Sequence, residues 1–226
     1  MSERQKAAAA QEKVAISKRD SWALKKWFSV YAPHYLGGVF LAEVPASEPQ
    51  KLLMRTLEVS LYDITKDISH LPVKLRLQIK EVDGVRASTR FKGLELTSDY
   101  IKSLVRRGTS KVAAIMDVRT RDGWHMRVTI MAITVHGVGA AQKSAIRKRI
   151  IHVVTSRAAE SDIGQFLREV LDGTLAADAF VAAKKIAPIR KVEVAKIKVL
   201  MHPPEEGARP AAREAVAQAG ASAETQ

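Results

Sequence analysis

Apolar and polar residues alternate with a period of two over several segments of the first 136 residues, and this alternation predicts β-strands. The clearest segments are 73–80 and 86–92, in which Lys, Arg, Ser and Gln separate the residues of the apolar face, and Gly93 is expected to end the second. Residues 112–118 and 126–132 repeat the pattern. Leu57, Val59 and Leu61 predict one further strand, and an opening strand is expected within 21–33.

The two clearest strands are predicted to pair as a hairpin. A two-residue Asp-Gly loop would set apolar residues against charged ones across the ladder. A three-residue loop over 82–84, with its glycine in the left-handed conformation, sets Leu75 opposite Phe91 and Leu77 opposite Thr89. We therefore predict the second register.

The same kind of loop is predicted over 121–123, an Arg-Asp-Gly sequence that aligns the apolar faces of the next two strands. This register places Asp117 within reach of Arg127. Trp124 follows the turn directly and either caps the end of a barrel or stacks on RNA.

The predicted register of the first hairpin brings like charges together on its outer face. The opposed pairs are Lys80 with Arg86, Arg76 with Arg90, and Lys74 with Lys92. Like charges directly opposite each other destabilise a sheet in water. Against a phosphate backbone they would form a binding surface. Screening by salt and nearby carboxylates is the alternative, and the recurrence of the charges in register favours binding.

Beyond residue 136 the period becomes 3.6, which predicts helices over 140–159, 161–171 and 174–185. A shorter helix over 98–107, with Thr97 as its N-cap, is predicted to end at Gly108. Residues 188–200 read as a last strand, with a bulge or bend between Val194 and Ile197, where the apolar phase shifts.

The first half of the helix over 140–159 is crowded with cations, namely Lys143, Arg147, Lys148 and Arg149. Cations near a helix N-terminus oppose the macrodipole, so they lower the stability of the isolated helix. An external polyanion would relieve this effect.

The opening segment contains Trp22, Trp27, Phe28 and Tyr31. These rings either stack on bases or belong to the core, and we favour the core because buried aromatic residues dominate packing. Gly37, Gly38 and residues 45–49 indicate a loop after this strand.

The chain of 226 residues carries a formal net charge of +13, has 46% hydrophobic residues and contains no cysteine. The charge indicates a polyanionic partner, nucleic acid first and an anionic membrane second. No apolar run reaches the roughly 20 residues that span a bilayer. We expect a basic disordered arm over 1–20, which is a solvated tail or an RNA contact. We also expect one RNA-binding domain over 21–200 (strand-rich over 21–136, helical over 140–185, with the last strand over 188–200) and a disordered tail over 201–226.

No catalytic motif is found. The six histidines are scattered and no pair has metal-ligand spacing. Residues 137–139 form a lone GxG that reads as a turn, and no phosphate-binding loop or nucleophile elbow occurs. The sequence therefore predicts a binding protein with no cofactor and no metal.

Six segments resemble one known family in the same order along the chain. They are KKWFSVYAP (25–33), LEVSLYDI (57–64), TRFKGLELTSDYIKSLVRR (89–107), DVRTRDGWHMRV (117–128), QKSAIRKRI (142–150) and PIRKVEVAKIKVL (188–200). They resemble the archaeal and eukaryotic small-subunit ribosomal proteins of the S-three-a family, also called eukaryotic-type S-one, and the length is closer to the archaeal members. The sequence departs from many relatives at 136–139, where it is less basic, and in the Ala-rich N-terminal arm.

The resemblance implies an α+β fold with a barrel-like, mainly antiparallel sheet, which the two x-Asp-Gly hairpins would build, and with packed helices in the C-terminal half. It implies a structural, non-enzymatic protein on the platform of the small subunit near the messenger exit, in the cytoplasm. The implied partners are 16S-type ribosomal RNA, neighbouring proteins of the S-eleven and S-twenty-six types, and messenger RNA. A membrane partner is not expected, because the chain has no interfacial amphipathic helix.

We predict RNA contacts, mainly to phosphates, at the basic strand and helix faces. The predicted residues are Lys25, Lys26, Arg76, Arg90, Lys92, Arg106, Arg107, Lys111, Arg119, Arg121, Lys143, Arg147, Lys148, Arg149, Arg190 and Lys191. The alternative function is a free RNA-binding or RNA-chaperone protein that uses the same surface outside the ribosome. A nuclease or other hydrolase is a weaker third hypothesis.

Overall fold

A computed structural model of the chain describes Trp22 and residues 25–203. The predicted basic arm over 1–20 lies outside these residues. The tail predicted over 201–226 starts too early, because Met201 is the last residue of a strand, and its residues from 204 onward lie outside the described part. The described residues form a mixed α+β structure in which one large sheet, mainly antiparallel, is covered on one face by helices.

Eight strands make up the sheet in the described part of the chain. They are β1 (Lys26–Tyr31), β2 (Phe40–Ala46), β3 (Thr56–Ser60), β4 (Val73–Asp83), β5 (Arg86–Leu96), β6 (Lys111–Arg119), β7 (His125–Thr134) and β8 (Ile189–Met201). The main order is β2-β1-β5-β8-β7-β6, and β4 joins β3 to the other edge of β5. Because β2, β3 and β6 each have one described neighbour, the sheet is open, and the barrel-like closure expected from the sequence is not seen in these strands.

The described residues contain five α-helices, and the last three pack over β6, β7 and β8. The helices are α1 (Leu61–Thr65), α2 (Ser98–Leu104), α3 (Ala140–Glu160), α4 (Ile163–Leu171) and α5 (Thr174–Lys184). Ile146, Ile150 and Val154 of α3 are buried against the apolar faces of these strands, as the stripe predicts. We call the opposite sheet surface the outer face; α2 reaches it, where Tyr100 contacts Lys191 and Glu193.

The second hairpin has the register predicted from its three-residue loop. Arg119 pairs with His125 and Met116 with Val128 across β6 and β7. Gly123 adopts the left-handed conformation (φ +80°), and its N–H donates to the Thr120 carbonyl at 3.0 Å. The apolar alternation and the turn glycine act together here, because this ladder contains no bulge.

The register predicted for the first hairpin is wrong. Leu75 faces Leu94 and Leu77 faces Phe91, and the turn residues are Gly84 and Val85. The prediction fails at the turn, which is formed by residues 84–85 and not by 82–84. Bulges at Lys80 and Lys92 offset each other, so they change the partners only over the part of the ladder between them. The predicted like-charge pairs therefore do not form: Lys74 faces Glu95, Arg76 faces Gly93, and Arg86 faces Asp83.

Gly93 lies inside β5 instead of ending it. A Cβ at this position would lie only 2.6 Å from the Ile197 carbonyl oxygen. Glycine is therefore needed for β8 to approach β5 closely, where the two strands pair over 93–95. On the same edge, residues 86–88 of β5 pair in parallel with β1. The central strand thus joins the two halves of the sheet.

Three further boundaries differ from the sequence prediction. Residues 40–46, within the predicted loop, form β2, where Pro45 is tolerated because β2 is an edge strand. Leu61 is the first residue of α1 rather than a strand residue, because Ser60 caps the helix by accepting a hydrogen bond from Tyr62 N–H. Helix α2 ends at Leu104, so Arg106 and Arg107 lie in the following loop.

The last strand contains the bulge that its phase shift predicts. Thr129 of β7 pairs with Lys196 and Ile130 pairs with Val194, so Ala195 is the extra residue. The bulge allows Val194 and Ile197 to be buried on one face although three positions separate them. This change of phase also sets Lys196 and Lys198 on the outer face.

Candidate RNA interface

Arg76, predicted to bind RNA, lies on the outer face and is paired within the protein. Its guanidinium is 2.8 Å from the carboxylate of Glu58 and 3.2 Å from that of Glu95. Lys196 also lies 3.2 Å from Glu95. These groups are partly exposed, so the pairs contribute little to stability. They nevertheless offset the charge that the sequence assigned to a phosphate surface.

Arg90 and Lys92 likewise contact protein groups. The Arg90 guanidinium donates to the Gln78 amide oxygen at 3.0 and 3.3 Å. Lys92 Nζ donates to the Thr56 hydroxyl at 3.4 Å. Both partners are neutral, so the two cations keep their charge. Each would have to give up or share a hydrogen bond to bind a phosphate.

Four predicted cations lie on segments that meet at one corner of the molecule although some of them are distant in sequence. We call Arg106, Arg107, Lys111 and Lys143 the corner cluster. Arg106 and Arg107 lie in the loop over 105–110, Lys111 begins β6, and Lys143 lies in the first turn of α3. None of the four side chains has an ion-pair partner among the described residues; Arg106, Arg107 and Lys111 are exposed and Lys143 is half-buried.

Hydrogen bonds hold together the two loops that carry the corner cluster. Ser110 N–H donates to the Thr134 hydroxyl at 3.0 Å, and Thr134 N–H donates to the Ser110 carbonyl at 3.1 Å. Val138 N–H donates to the Ser110 hydroxyl at 3.3 Å. The loop over 105–110 is thereby fixed against the segment that leads into α3, so the segments that carry the corner cluster lie next to one another.

The N-terminus of α3 adds to the positive potential of this corner. Gly139 is the N-cap residue, and no acidic residue lies in the first turn. Arg147 Nε donates to the Ala113 carbonyl on the free edge of β6 at 3.1 Å, which ties the helix to the sheet. Lys148 and Arg149 are exposed on the following turn. The helix dipole and these cations have the same sign, which favours an anion nearby.

Arg119 and Arg121 lie at the other end of β6, in the second hairpin. At about 3.3 Å per residue, β6 separates Arg119 from Lys111 by roughly 26 Å. Both arginines are exposed. They therefore form a second cationic site, separate from the corner cluster.

Two carboxylates lie beside this second site. Asp122 accepts the Ile163 N–H of α4 at 3.1 Å. A hydrogen bond with Asp122 and the negative charge of that residue raise the pKa of Asp162 above its usual value. The carboxylates anchor the hairpin turn to the start of α4, and they also lower the net positive charge around Arg121.

Two of the four opening aromatic residues contradict the core prediction. Phe28 is 3% exposed and lies in the core, and Tyr31 is half-buried. Trp22 and Trp27 are 62% and 54% exposed. Trp27 alternates with Phe28 along β1 and so points to the opposite side of the sheet. Alternation marks two faces, but it does not say which of them a second layer covers.

Lys25 and Lys26 lie beside these exposed rings. Lys25 Nζ lies 3.8 Å from the centre of the Trp22 ring, a cation–π contact. Lys26 is the first residue of β1 and is exposed. Both predicted cations are therefore at the surface, next to aromatic side chains.

Arg190 and Lys191 open β8 and differ in their surroundings. Lys191 Nζ lies 2.8 Å from Glu193 and donates to the Tyr100 hydroxyl at 2.7 Å. The hydrogen bond with Glu193, followed by that with Tyr100, raises the pKa of Lys191. Arg190 is exposed and has no ion-pair partner in the described part of the chain. Arg190 is therefore the better placed of the two to meet an external anion.

Sequence reasoning did not select two outer-face cations, Lys198 and Arg127, as RNA contacts. They are cross-strand neighbours, and Arg127 also pairs with Asp117 at 2.7 Å, as the register predicts. The hydrogen bond with Arg127 lowers the pKa of Asp117. Lys198 is exposed and has no ion-pair partner among the residues described. The alternation of lysines at 196 and 198 is the signal that could have identified it.

Within the described residues, no group of three or more His, Cys, Asp or Glu side chains is placed to hold a metal ion. No helix in that part of the chain is long and apolar enough to cross a bilayer.

The family model described as the ribosomal S3Ae family matches residues 13–203. The small ribosomal subunit protein eS1 of Pyrobaculum calidifontis is 75% identical over 222 residues, which cover 98% of this chain and 100% of that protein. The proteins of the same name from Desulfurococcus amylolyticus and Sulfurisphaera tokodaii are 44% identical over 193 residues and 45% identical over 185 residues. The first match covers 85% of this chain and 91% of the relative, and the second covers 82% and 96%.

Proposed function

The chain belongs to the ribosomal S3Ae family, and from that premise we propose that it is a structural constituent of the small ribosomal subunit, bound to the subunit's ribosomal RNA. Members of this family are structural components, so no catalytic step is assigned to the chain. The protein would act in the cytoplasm, within the ribosome. Its contacts would be mainly to phosphates, which position a protein without reading sequence.

The corner cluster is the observation that carries the RNA-binding proposal. Arg106, Arg107, Lys111 and Lys143 are brought together by hydrogen-bonded loops, and no described carboxylate pairs with them. A folded protein gains nothing from concentrating unpaired cations beside a positive helix end in water. A phosphate backbone supplies the missing negative charge and makes the arrangement favourable.

The other predicted RNA-binding residues fall into two groups, according to whether each already contacts another group of the protein. The exposed side chains without an ion-pair partner in the described residues are the better candidates, namely Lys26, Arg119, Arg121, Lys148, Arg149 and Arg190. Arg76 and Lys191 are paired with carboxylates, whereas Lys25, Arg90, Lys92 and Arg147 have neutral partners. These six would have to exchange or share a contact to bind RNA.

The position within the subunit is also a proposal. The family resemblance supports a site on the platform near the messenger exit, with proteins of the S-eleven and S-twenty-six types as neighbours and messenger RNA close by. We further propose that residues 21–200 act as one RNA-binding unit.

Co-sedimentation in a sucrose gradient of native lysate tests the ribosomal assignment. We expect the tagged protein to run stoichiometrically with the small subunit and to remain there after a moderate salt wash. A protein that stays at the top of the gradient yet still binds RNA would be a free RNA-binding protein instead.

A salt titration tests the corner cluster. Replacing its four cations with Ala should weaken binding to a small-subunit RNA stem-loop and lower the slope of log K against log salt by up to about four units, one for each lost phosphate contact. The matched control replaces Lys51, Arg55, Lys184 and Lys185, which are exposed and outside the cluster. An equal change of slope in both variants would contradict a localised interface.

A further inference from the structure

A strip of aromatic side chains lies at the surface of the β1–β2 hairpin. Trp22, Trp27 and Phe40 are 62%, 54% and 49% exposed, and Tyr31 lies between them. We call these four residues the aromatic strip. Large aromatic residues bury much area when they pack, so a row of them facing solvent marks a surface that meets a ligand.

The strands place the rings of the strip at regular positions. Trp27 and Tyr31 lie on the same side of β1, four residues and therefore about 13 Å apart. Tyr31 pairs across the ladder with Phe40, with ring centres 5.8 Å apart and an edge-to-face geometry. The Trp22 ring lies 6.5 Å from that of Trp27, also edge to face. The four rings thus form two edge-to-face pairs, Trp22 with Trp27 and Tyr31 with Phe40, near one edge of the sheet.

A cation lies directly on one ring of each pair. Lys25 Nζ is 3.8 Å from the centre of Trp22, and the Arg86 guanidinium is 4.1 Å from the centre of Tyr31. Glu43 adds a carboxylate in the same row as Arg86, since both pair with Ser29. The strip therefore presents aromatic rings and positive charges in turn, and the Glu43 carboxylate partly offsets the charge of Arg86.

We infer that the aromatic strip binds single-stranded RNA, with unpaired bases stacked on its rings and the adjoining phosphates beside Lys25 and Arg86. Proteins that hold single strands combine such rings with cations, since every base has a face that stacks. A protein partner is the less favoured occupant, because Lys25 and Glu43 adjoin the rings and these two residue types are depleted in protein interfaces. The inference rests on the proposed function, in that RNA is the partner, but it adds a second mode of binding to the phosphate contacts of the corner cluster.

Fluorescence titration of the full chain with a twelve-nucleotide oligouridylate tests the strip. The chain has three tryptophans, and a Trp124→Phe background leaves Trp22 and Trp27 as the reporters. We expect quenching on binding. Trp22→Leu and Trp27→Leu, measured by anisotropy of a labelled oligomer, should each weaken binding about tenfold. The salt slope should stay the same, because stacking neutralises no phosphate.

Two controls separate stacking from a change in folding. Trp22→Phe and Trp27→Phe keep an aromatic ring and should bind oligouridylate with most of the wild-type affinity, unlike the Leu variants. If the tryptophans only supported the fold, an aromatic ring would not be needed for RNA binding. Leu71→Ala removes another exposed apolar side chain, 59% exposed and outside both sites, and should leave binding unchanged.

The outcomes distinguish this inference from the proposed function. Loss of oligouridylate binding in the Leu variants, with stem-loop binding retained, supports the strip. Wild-type protein that binds the stem-loop and the small subunit but not oligouridylate overturns the strip and leaves the proposed function standing. If the Leu variants keep oligouridylate binding but leave the subunit, the strip is a protein-docking surface. If the wild type binds neither RNA nor subunit, the proposed function falls too.

Discussion

Replacing Gly93 with Ala is expected to destabilise the protein through the junction of β5 and β8. The added methyl group would lie 2.6 Å from the Ile197 carbonyl oxygen, whereas ordinary contact begins near 3.4 Å, so one strand must retreat by about 0.8 Å. The obstacle is backbone and cannot rotate away. It lies where Ile197, 1% exposed, packs in the core.

The size of this destabilisation depends on the short length of the pairing between β5 and β8. The two strands pair only over residues 93–95, so a retreat of β8 loosens most of their shared ladder. Overpacking of this kind lowers the free energy of unfolding by about 1–3 kcal/mol. Because the contacting atom belongs to the backbone and not to a flexible side chain, we expect Gly93→Ala to lower it by about 2–3 kcal/mol. For a domain of this size, that corresponds to a fall in Tm of roughly 4–12 °C.

Urea unfolding followed by circular dichroism measures this free energy. Gly137→Ala is the matched control, because its Cβ would meet the nearest atom, the Gly108 carbonyl oxygen, at an ordinary 3.8 Å. We expect that variant to change stability by no more than about 0.5 kcal/mol. Equal stability of the two variants would show that β8 adapts without loss, and it would refute the argument from close approach.

Two further predictions concern single hydrogen bonds. Phe91 N–H donates to the Tyr35 hydroxyl at 2.9 Å. Tyr35→Phe should leave this buried N–H unpaired and lower the free energy of unfolding in urea by about 1–3 kcal/mol. A decrease below about 0.5 kcal/mol would show that another acceptor replaces the hydroxyl. The hydrogen bond with Arg127 lowers the pKa of Asp117 in the folded protein. The charged carboxylate therefore stabilises the fold at pH values above the unfolded-state pKa of about 3.9, and this contribution is lost as the pH falls through the folded-state pKa. Arg127→Gln should move the Asp117 midpoint in an NMR titration upward toward that value, and an unmoved midpoint would exclude the pair as the cause.

The two hairpins show how far alternation predicts a register. In the second hairpin the apolar faces, the turn glycine and the Asp117–Arg127 pair all agree with one alignment, and the structure has it. In the first hairpin the same reasoning gave the wrong partners. The turn lies at 84–85 instead of 82–84, and the bulges at Lys80 and Lys92 offset each other; the local alternation marks neither the turn nor the bulges.

The candidate site was predictable in its chemistry but not in its arrangement. The cation-rich segments of loop 105–110 and of α3 are visible in the sequence, and so is the bulge in β8. Their meeting at one corner depends on contacts between Ser110 and Thr134, which are far apart in sequence. The exposure of Trp27 likewise depends on which sheet face the helices cover.

The sequence by itself determined the periodicity of most elements, the net charge of +13 and the family motifs, because these are properties of residues and of their near neighbours. Only the tertiary structure decided which cations are already paired. Arg76 lies between Glu58 and Glu95 because β3 and β5 flank β4 in one particular register. That register follows from the turn at 84–85 together with the two offsetting bulges at Lys80 and Lys92. A one-residue slip changes every cross-strand partner, so charge compensation is settled by the assembled sheet.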